Sequence, residues 1–368
     1  MDIKEKIAEW FAHFHAHPEV SWKEVKTTAK LAEILTEMGV GHHTFDDVTG
    51  VVAEIGEGDR IIAVRADIDA LWQEVGGIYQ ANHSCGHDAN MAMVLGALAY
   101  LKQEELNSKI RFIFQPAEEK GNGANSMIER GAIDGVSHLF GVHLRPQEEI
   151  PFGKVAPAIH HGAALFLEGK IMGEDAHGAR PQQGNNALDP LFAIAQFIKT
   201  IHFSPYEAYS AKLTKVQAGG DSLNIIPGTA SFAIDTRAQS NTVLNELKER
   251  ISEGIEAIGK LHHVEIEMVW SDYTPAAEVS EGAASLAAEA IVETLGEEAF
   301  APAIITSGSD DFHFYTIHNP ELKAAMIGIG ADLGPGLHHP DMTFNREALD
   351  MGARVLASAL RKASFLNE

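Results

Sequence analysis

The only cysteine of the chain, Cys85, stands in NHSCGHDANMAM (residues 82–93), two residues before His87 and three before Asp88. Further along, IRFIFQPAEE sets Glu118 and Glu119 in tandem behind an apolar run, HLFGVHL carries His143 near its end, and LHHP carries His338 beyond AAMIGIG. Upstream, RADID supplies Asp67 and Asp69, which strand alternation puts on one face. Thiolate, imidazole and carboxylate groups from several strand ends are the donors a divalent metal site requires. Three readings of Cys85 compete. Free cysteine is often a small buried side chain, but Ser84, Gly86, His87 and Asp88 around it are polar or turn-forming. A Cys-His nucleophile pair is the second, yet residues two apart in one tight loop rarely place an imidazole in line as general base. Metal ligation accounts for the thiol, the glycine turn and the carboxylates together.

The elements that would position these groups read as an α/β chain. Residues 2–40 predict two helices, the second over WKEVKTTAKLAEILTEMGV and stopping at Gly39. GVVAEIGEGDRIIAVRADIDAL reads as two strands around GEGD, hence a hairpin, with the second run apolar enough for burial on both faces. NMAMVLGALAYLKQEEL predicts an amphipathic helix with Cys85 and His87 in the loop before it, and KIRFIFQPAEE a buried strand ending in the two glutamates. HLFGVHL is a further strand. The alternation predicts a mixed, mostly parallel sheet with helices on both faces, with function gathered at the carboxyl ends of its strands.

From Ala163 the pattern becomes strand, helix, strand, strand, helix, strand, a ferredoxin-like α+β unit expected over residues 163–273. It interrupts a host domain expected over 1–162 and 274–368, which resumes with a helix at 284–295, the strand KAAMIGIGA, the loop DLGPGLHHPD and a final helix to Leu366. A cleft between two domains is the expected place for a small ligand.

A formal charge of −24, from 28 basic and 52 acidic residues, argues against nucleic acid and anionic membranes as partners. No apolar run approaches the roughly 18 residues that span a bilayer, and MDIKEKIAEW lacks an apolar signal core. A cytoplasmic location is expected. One cysteine makes no intramolecular disulfide. His13, His15 and His17 alternate, which on a helix spreads them around the axis and predicts a solvated segment. The adjacent pairs His160–His161 and His262–His263 do not easily face one point, and GIGADLG leads into a loop instead of a helix, unlike a dinucleotide fingerprint.

RADIDAL, CGHD, QPAEE, GVHLRP, HGARP, NIIPGTASFAIDTR, GSDDF and LHHP occur in this order, preceded by HAHPEVSWKE. The set resembles the M20 metallopeptidases, specifically the amidohydrolase branch of aminoacylases, hippurate hydrolases and auxin-conjugate hydrolases, over nearly the whole chain. The resemblance implies a zinc-peptidase-like catalytic domain with an inserted lid and dimerisation domain. It implies a two-metal centre held by Cys85, His87, Glu119, His143 and His338, with Glu118 as general base and Asp69 orienting a ligand imidazole. In the lid, His177, Asn224 and Arg237 match positions that bind the substrate carbonyl or carboxylate. Trp72 stands where the family usually has proline, Asn90 where CGHDxH has histidine, and Gln182 where histidine is common after ARP. Trp72 would add bulk beside the metal-site strand.

The expected function is metal-dependent hydrolysis of the amide bond of small N-acyl amino acids or their conjugates. The expected cofactors are two zinc or manganese ions, with cobalt or nickel as alternatives, and the resemblance implies a homodimer through the lid. A dipeptidase or aminopeptidase on the same centre is the alternative, with Asp310 and Asp311 available to the substrate amine. A non-catalytic metal-binding scaffold is the alternative of another class.

Overall fold

The computed structural model describes residues 2–366. Contact density divides the chain into one unit of residues 1–160, 278–305 and 310–368, and a second of 161–277 and 306–309.

The first unit opens with α1 (Ile3–Ala16) and α2 (Val25–Glu37), then β1 (Gly41–Thr44), β2 (Val51–Ile55), β3 (Ile61–Asp67), β4 (Leu71–Val75), β5 (Ile78–Asn82), α3 (His87–Leu101), β6 (Lys109–Gln115), α4 (Gly123–Glu129), β7 (Val136–Pro146) and β8 (Val155–Ala156). Its seven-stranded sheet runs β1, β2, β6, β3, β7, the strand Lys323–Leu333, then β8. The four central strands are parallel and both margins antiparallel. In β3, Ile62, Val64 and Ala66 enter the main core beside α3 residues and the helix Glu347–Ser364. Arg65 and Asp67 alternate to the opposite face, where Asp311 meets Arg65.

Two expectations change here. β2 and β3 form no hairpin, because β6 lies between them, antiparallel to β2 and parallel to β3. A strand buried on both faces fills both its edges with parallel neighbours, and β3 finds them in β6 and β7. The hairpin is instead β4–β5, turning at Gly76 and Gly77, both at positive φ, as a two-residue hairpin turn requires. Nor is α3 amphipathic: every residue from His87 to Leu98 is buried, because the helix packs against α1, β3 and Glu347–Ser364. Gly96 permits that closeness, since a Cβ there would sit 2.6 Å from Ile7 and 2.8 Å from Ala353.

The second unit has the order β-α-β-β-α-β. Its antiparallel sheet runs Tyr209–Ala218, Thr229–Ala238, Ala163–Met172, Glu265–Thr274, and the helices Leu188–Phe197 and Asn241–His262 cover one face. Alternation along Ala163–Met172 buries Leu167 and Ile171 while Glu168 and Lys170 stay exposed. Among the described residues, no helix is long and apolar enough to cross a membrane.

Candidate metal centre

Four segments of the first unit converge on one acidic, mostly buried cluster of side chains. The Cys85 loop turns at Gly86, whose φ of +89° belongs to the left-handed region, and α3 starts directly after it. His87 is therefore the first residue of α3 and not part of the loop. The two glutamates stand beyond the end of β6, not on it: Pro116 follows the strand, Ala117 adopts φ +53°, and Glu118–Lys120 form a 3-10 turn. A non-glycine residue in the left-handed region is held by its surroundings. Here the buried Glu24 carboxylate accepts the Ala117 N–H (2.9 Å) and the Thr49 hydroxyl (2.7 Å). His143 lies inside β7, and His338, at φ +65°, in the loop after Lys323–Leu333.

Asp69 organises the centre. Its two carboxylate oxygens accept the N–H groups of Glu118 (3.0 Å) and Glu119 (3.1 Å), and Ser21 donates its hydroxyl at 2.6 Å. Its backbone carbonyl accepts Nδ1–H of His87 at 2.8 Å. That bond leaves the neutral imidazole with its lone pair on Nε2, a buried atom without a hydrogen-bond partner. His143 likewise donates Nδ1–H to the Leu144 carbonyl (2.7 Å), and its Nε2 lies 3.7 Å from Cys85 Sγ. Glu119 Oε1, also buried and unpartnered by a hydrogen bond, is 3.4 Å from His338 Nε2 and 3.8 Å from His87 Nε2. Glu118 Oε2 lies 3.8 Å from His87 Nε2.

Among the described residues, five groups of three have donor atoms within 4.8 Å of one another; two of them, Cys85–His87–His143 and Cys85–Glu119–His338, share Cys85, and the others bring in Glu118, Asp67, Asp310 and Asp311. Unpaired buried lone pairs on His87 and Glu119 are what a cation would satisfy, so the residues fit a pair of divalent ions. Burial lowers the His87 imidazole, but Asp67 and Cys85 outweigh it and raise it well above its ordinary value, so His87 would have to give up a proton to bind an ion; the other groups agree with coordination. Burial, followed by the Glu119 carboxylate, pushes the Cys85 thiol well above its ordinary value, the opposite of an activated nucleophile, whereas coordination deprotonates a thiol outright. Burial keeps His143 below its ordinary value and therefore neutral, as a ligand must be. Burial, then Asp310, Glu119 and Asp311, raise the Glu118 carboxyl well above the usual range.

The acidic groups behind this centre have a cation of their own. Arg65, fully buried, donates to Gln115 (2.8 Å), Asp67 (2.6 Å) and Asp311 (2.8 Å), and lies 3.4 Å from Asp310. Asp311 also accepts from the Gln115 amide and the Ala124 N–H. Sequence reasoning missed this cluster, although an arginine inside RIIAVRADID signals a buried charge that needs partners. It also missed His15, whose Nδ1 lies 2.7 Å from the buried Asp88 carboxylate while its ring stacks on Phe11. The segment is thus not merely solvated, because α1 packs against the first turn of α3. Trp72 is largely exposed on β4.

His177, Asn224 and Arg237 belong to the second unit. The structure pairs the first two locally: His177 bridges to Ile225, and the Asn224 carbonyl accepts the Gly178 N–H at 2.7 Å. Arg237 lies on Thr229–Ala238, ion-paired with Asp235 at 2.9 Å and over the Phe166 ring.

The family model described as peptidase family M20/M25/M40 matches residues 63–362. The chain belongs to this family. It is 32% identical over 365 residues to N-acetylcysteine deacetylase of Bacillus subtilis, covering 93% of each chain. To IAA-amino acid hydrolase ILR1-like 4 of Arabidopsis thaliana it is 30% identical, covering 96% of this chain and 86% of the plant protein. A crystal structure of a Bacillus subtilis dinuclear metal binding peptidase of family M20 superposes with a TM-score of 0.84 at 27% identity, covering 98% of each chain. The M20 fold, its catalytic domain and its inserted α+β lid are those described above, and this M20 protein is a metal-dependent amidohydrolase with a centre for two divalent ions.

Proposed function

We propose that this M20 hydrolase cleaves small N-acyl amino acids or their conjugates, with Cys85, His87, Glu119, His143 and His338 as metal ligands and Glu118 as general base. One observation supports the ligand assignment: Cys85 lies within donor distance of both the His87–His143 pair and the Glu119–His338 pair, so these five residues would be the ones to hold two ions. When bound, the ions supply Lewis acidity, polarising the amide carbonyl and acidifying the attacking water. Zinc or manganese suits the mixed sulfur, nitrogen and oxygen donors, with cobalt or nickel as substitutes.

Each side chain has a task that its environment supports. Glu118 is nearly buried, and the desolvation that raises its carboxyl makes it a group able to take a proton from water and return it to the leaving amine. Asp69 fixes the backbone of that glutamate and, through its carbonyl, the tautomer of His87. In the lid, His177, Asn224 and Arg237 would bind the substrate carbonyl and carboxylate, with Asp235 holding the guanidinium in place. Homodimerisation through the lid and a cytoplasmic location belong to the same reading. Relatives named for deacetylation and for IAA-amino acid hydrolysis support blocked substrates. In the peptidase alternative the substrate amine would meet Asp310 and Asp311, which are already ion-paired with Arg65.

The test is Glu118→Gln. The variant should retain two ions per chain and lose about 10²–10⁴-fold in kcat on N-acetyl and N-benzoyl amino acids. Wild-type turnover by this variant would remove Glu118 from the mechanism, and activity confined to free dipeptides would move the substrate class.

A further inference from the structure

One side chain of the β4–β5 hairpin, Gln73, bonds to both of the adjacent loops that carry Cys85 and His338. Gln73 Nε2 donates to the His338 backbone carbonyl at 3.0 Å. Its Oε1 accepts the Ser84 hydroxyl at 2.5 Å and the Asn82 amide at 2.9 Å. Asn82 also donates to the Pro340 carbonyl at 3.0 Å, and the His338 N–H donates to the Ser84 carbonyl at 2.8 Å. Residues some 250 positions apart in sequence are thereby locked side by side, with the carboxamide of Gln73 using both its donor and its acceptor.

We propose that Gln73 is a positioning residue for the metal centre, a clasp that sets His338 against the Cys85 loop and so tunes the ion held by Cys85, Glu119 and His338. The proposal rests on the ligand set above. Its logic is the asymmetry between the two groups. Cys85, His87 and His143 are all buried, and the two imidazoles are oriented by carbonyls of Asp69 and Leu144. His338 is the outlying ligand: its side chain is 54% exposed, and its backbone occupies the left-handed region, which a non-glycine residue enters only when held there. The clasp bonds that backbone directly. Only an amide of this length serves, since glutamate lacks the donor for the His338 carbonyl and an aliphatic side chain lacks both groups.

Partners that orient ligands typically account for 10–100-fold in metal affinity. The experiment is release of zinc from the zinc-loaded full chain to a chromophoric chelator, which resolves two dissociation constants. Gln73→Ala should weaken one ion 10–100-fold and leave the other within about twofold. Gln73→Glu, close in shape and so a guard against misfolding, should weaken the same ion because its carboxylate faces the His338 carbonyl. Glu74→Ala, on the outward face of β4, should change neither. Unaltered constants in both Gln73 variants, or equal weakening of both ions, would overturn the clasp while leaving the ligand set intact. Wild-type protein that releases fewer than two zinc ions per chain would overturn the ligand set and the clasp with it.

Discussion

Arg65 makes the strongest energetic prediction. Its guanidinium is 1% exposed and touches three carboxylates and one amide, with Nη1 to Asp67 at 2.6 Å, Nη2 to Asp311 at 2.8 Å and to Asp310 at 3.4 Å, and Nε to Gln115 at 2.8 Å. Arg65→Met keeps much of the volume and removes the charge, stranding buried carboxylates. Breaking a buried ion pair from one side costs about 3–5 kcal/mol. In a domain of roughly 150–250 residues, each kcal/mol moves Tm by about 2–4 °C, so the melting point should fall by about 6–20 °C. The loss should depend on pH in a definite direction. Burial, offset in part by Arg65, already pushes the Asp311 carboxyl up to about 7; without the arginine, its folded-state value rises further above its unfolded value. A carboxyl so raised destabilises the fold only once the unfolded chain has ionised, and the penalty grows as pH climbs through the folded-state value. The gap in Tm between variant and wild type should therefore widen from pH 5 to pH 8. Arg65→Lys, which keeps the charge but not the fork, should lose roughly half as much. Thermal melts across that pH range decide it. A variant melting within about 2 °C of wild type at pH 8, or a gap that narrows with rising pH, would refute the reasoning.

Gly123→Ala should disturb the glutamate turn from behind: a Cβ there would lie 1.7 Å from the Pro116 carbonyl oxygen and 2.9 Å from the Gln115 amide. Backbone must move, at a cost of about 1–3 kcal/mol or more, and both Tm and kcat should drop; unchanged kinetics would show that the turn is not rigidly coupled to Glu118. His15→Gln addresses the α1–α3 contact. The hydrogen bond to Asp88 raises the His15 imidazole above its ordinary value, so its contribution is fully present below the unfolded pKa near 6.5 and is lost as pH rises through the higher folded value. Because His15 is half-exposed, the effect should stay below about 1 kcal/mol. Chemical denaturation of the two proteins at pH 6 and pH 9 should show a difference at the lower pH only, and a difference that persists at pH 9 would point to ring stacking on Phe11 instead.

The candidate site was legible because cysteine, histidine and carboxylate residues recur in recognisable words. Cys85, His87, Glu118, Glu119, His143 and His338 could all be picked out from CGHD, QPAEE, GVHLRP and LHHP, and the structure brings them together in one unit. The lid was legible as well, since its strands and helices are one-face-buried elements whose period of two or 3.6 is written in the residues themselves. Less visible were features that depend on which segments become neighbours. LWQEVGGIYQAN has the alternation and the Gly-Gly turn of a hairpin, yet the competing GEGD turn drew the assignment because strand pairing is not encoded locally.

The sequence alone determined the donor inventory, the helix and strand periodicities, the interruption of one domain by another and, through its motifs, the family. Those are properties of residue type and spacing, set by side-chain chemistry and backbone geometry. Only the tertiary structure decided that β6 separates β2 from β3, that α3 is buried on every side, that Arg65 neutralises Asp67, Asp310 and Asp311, and that Gln73 ties the Cys85 loop to His338. Each of these joins groups far apart in the chain. Their energies come from desolvation and short-range contact, which exist only once packing has chosen the neighbours.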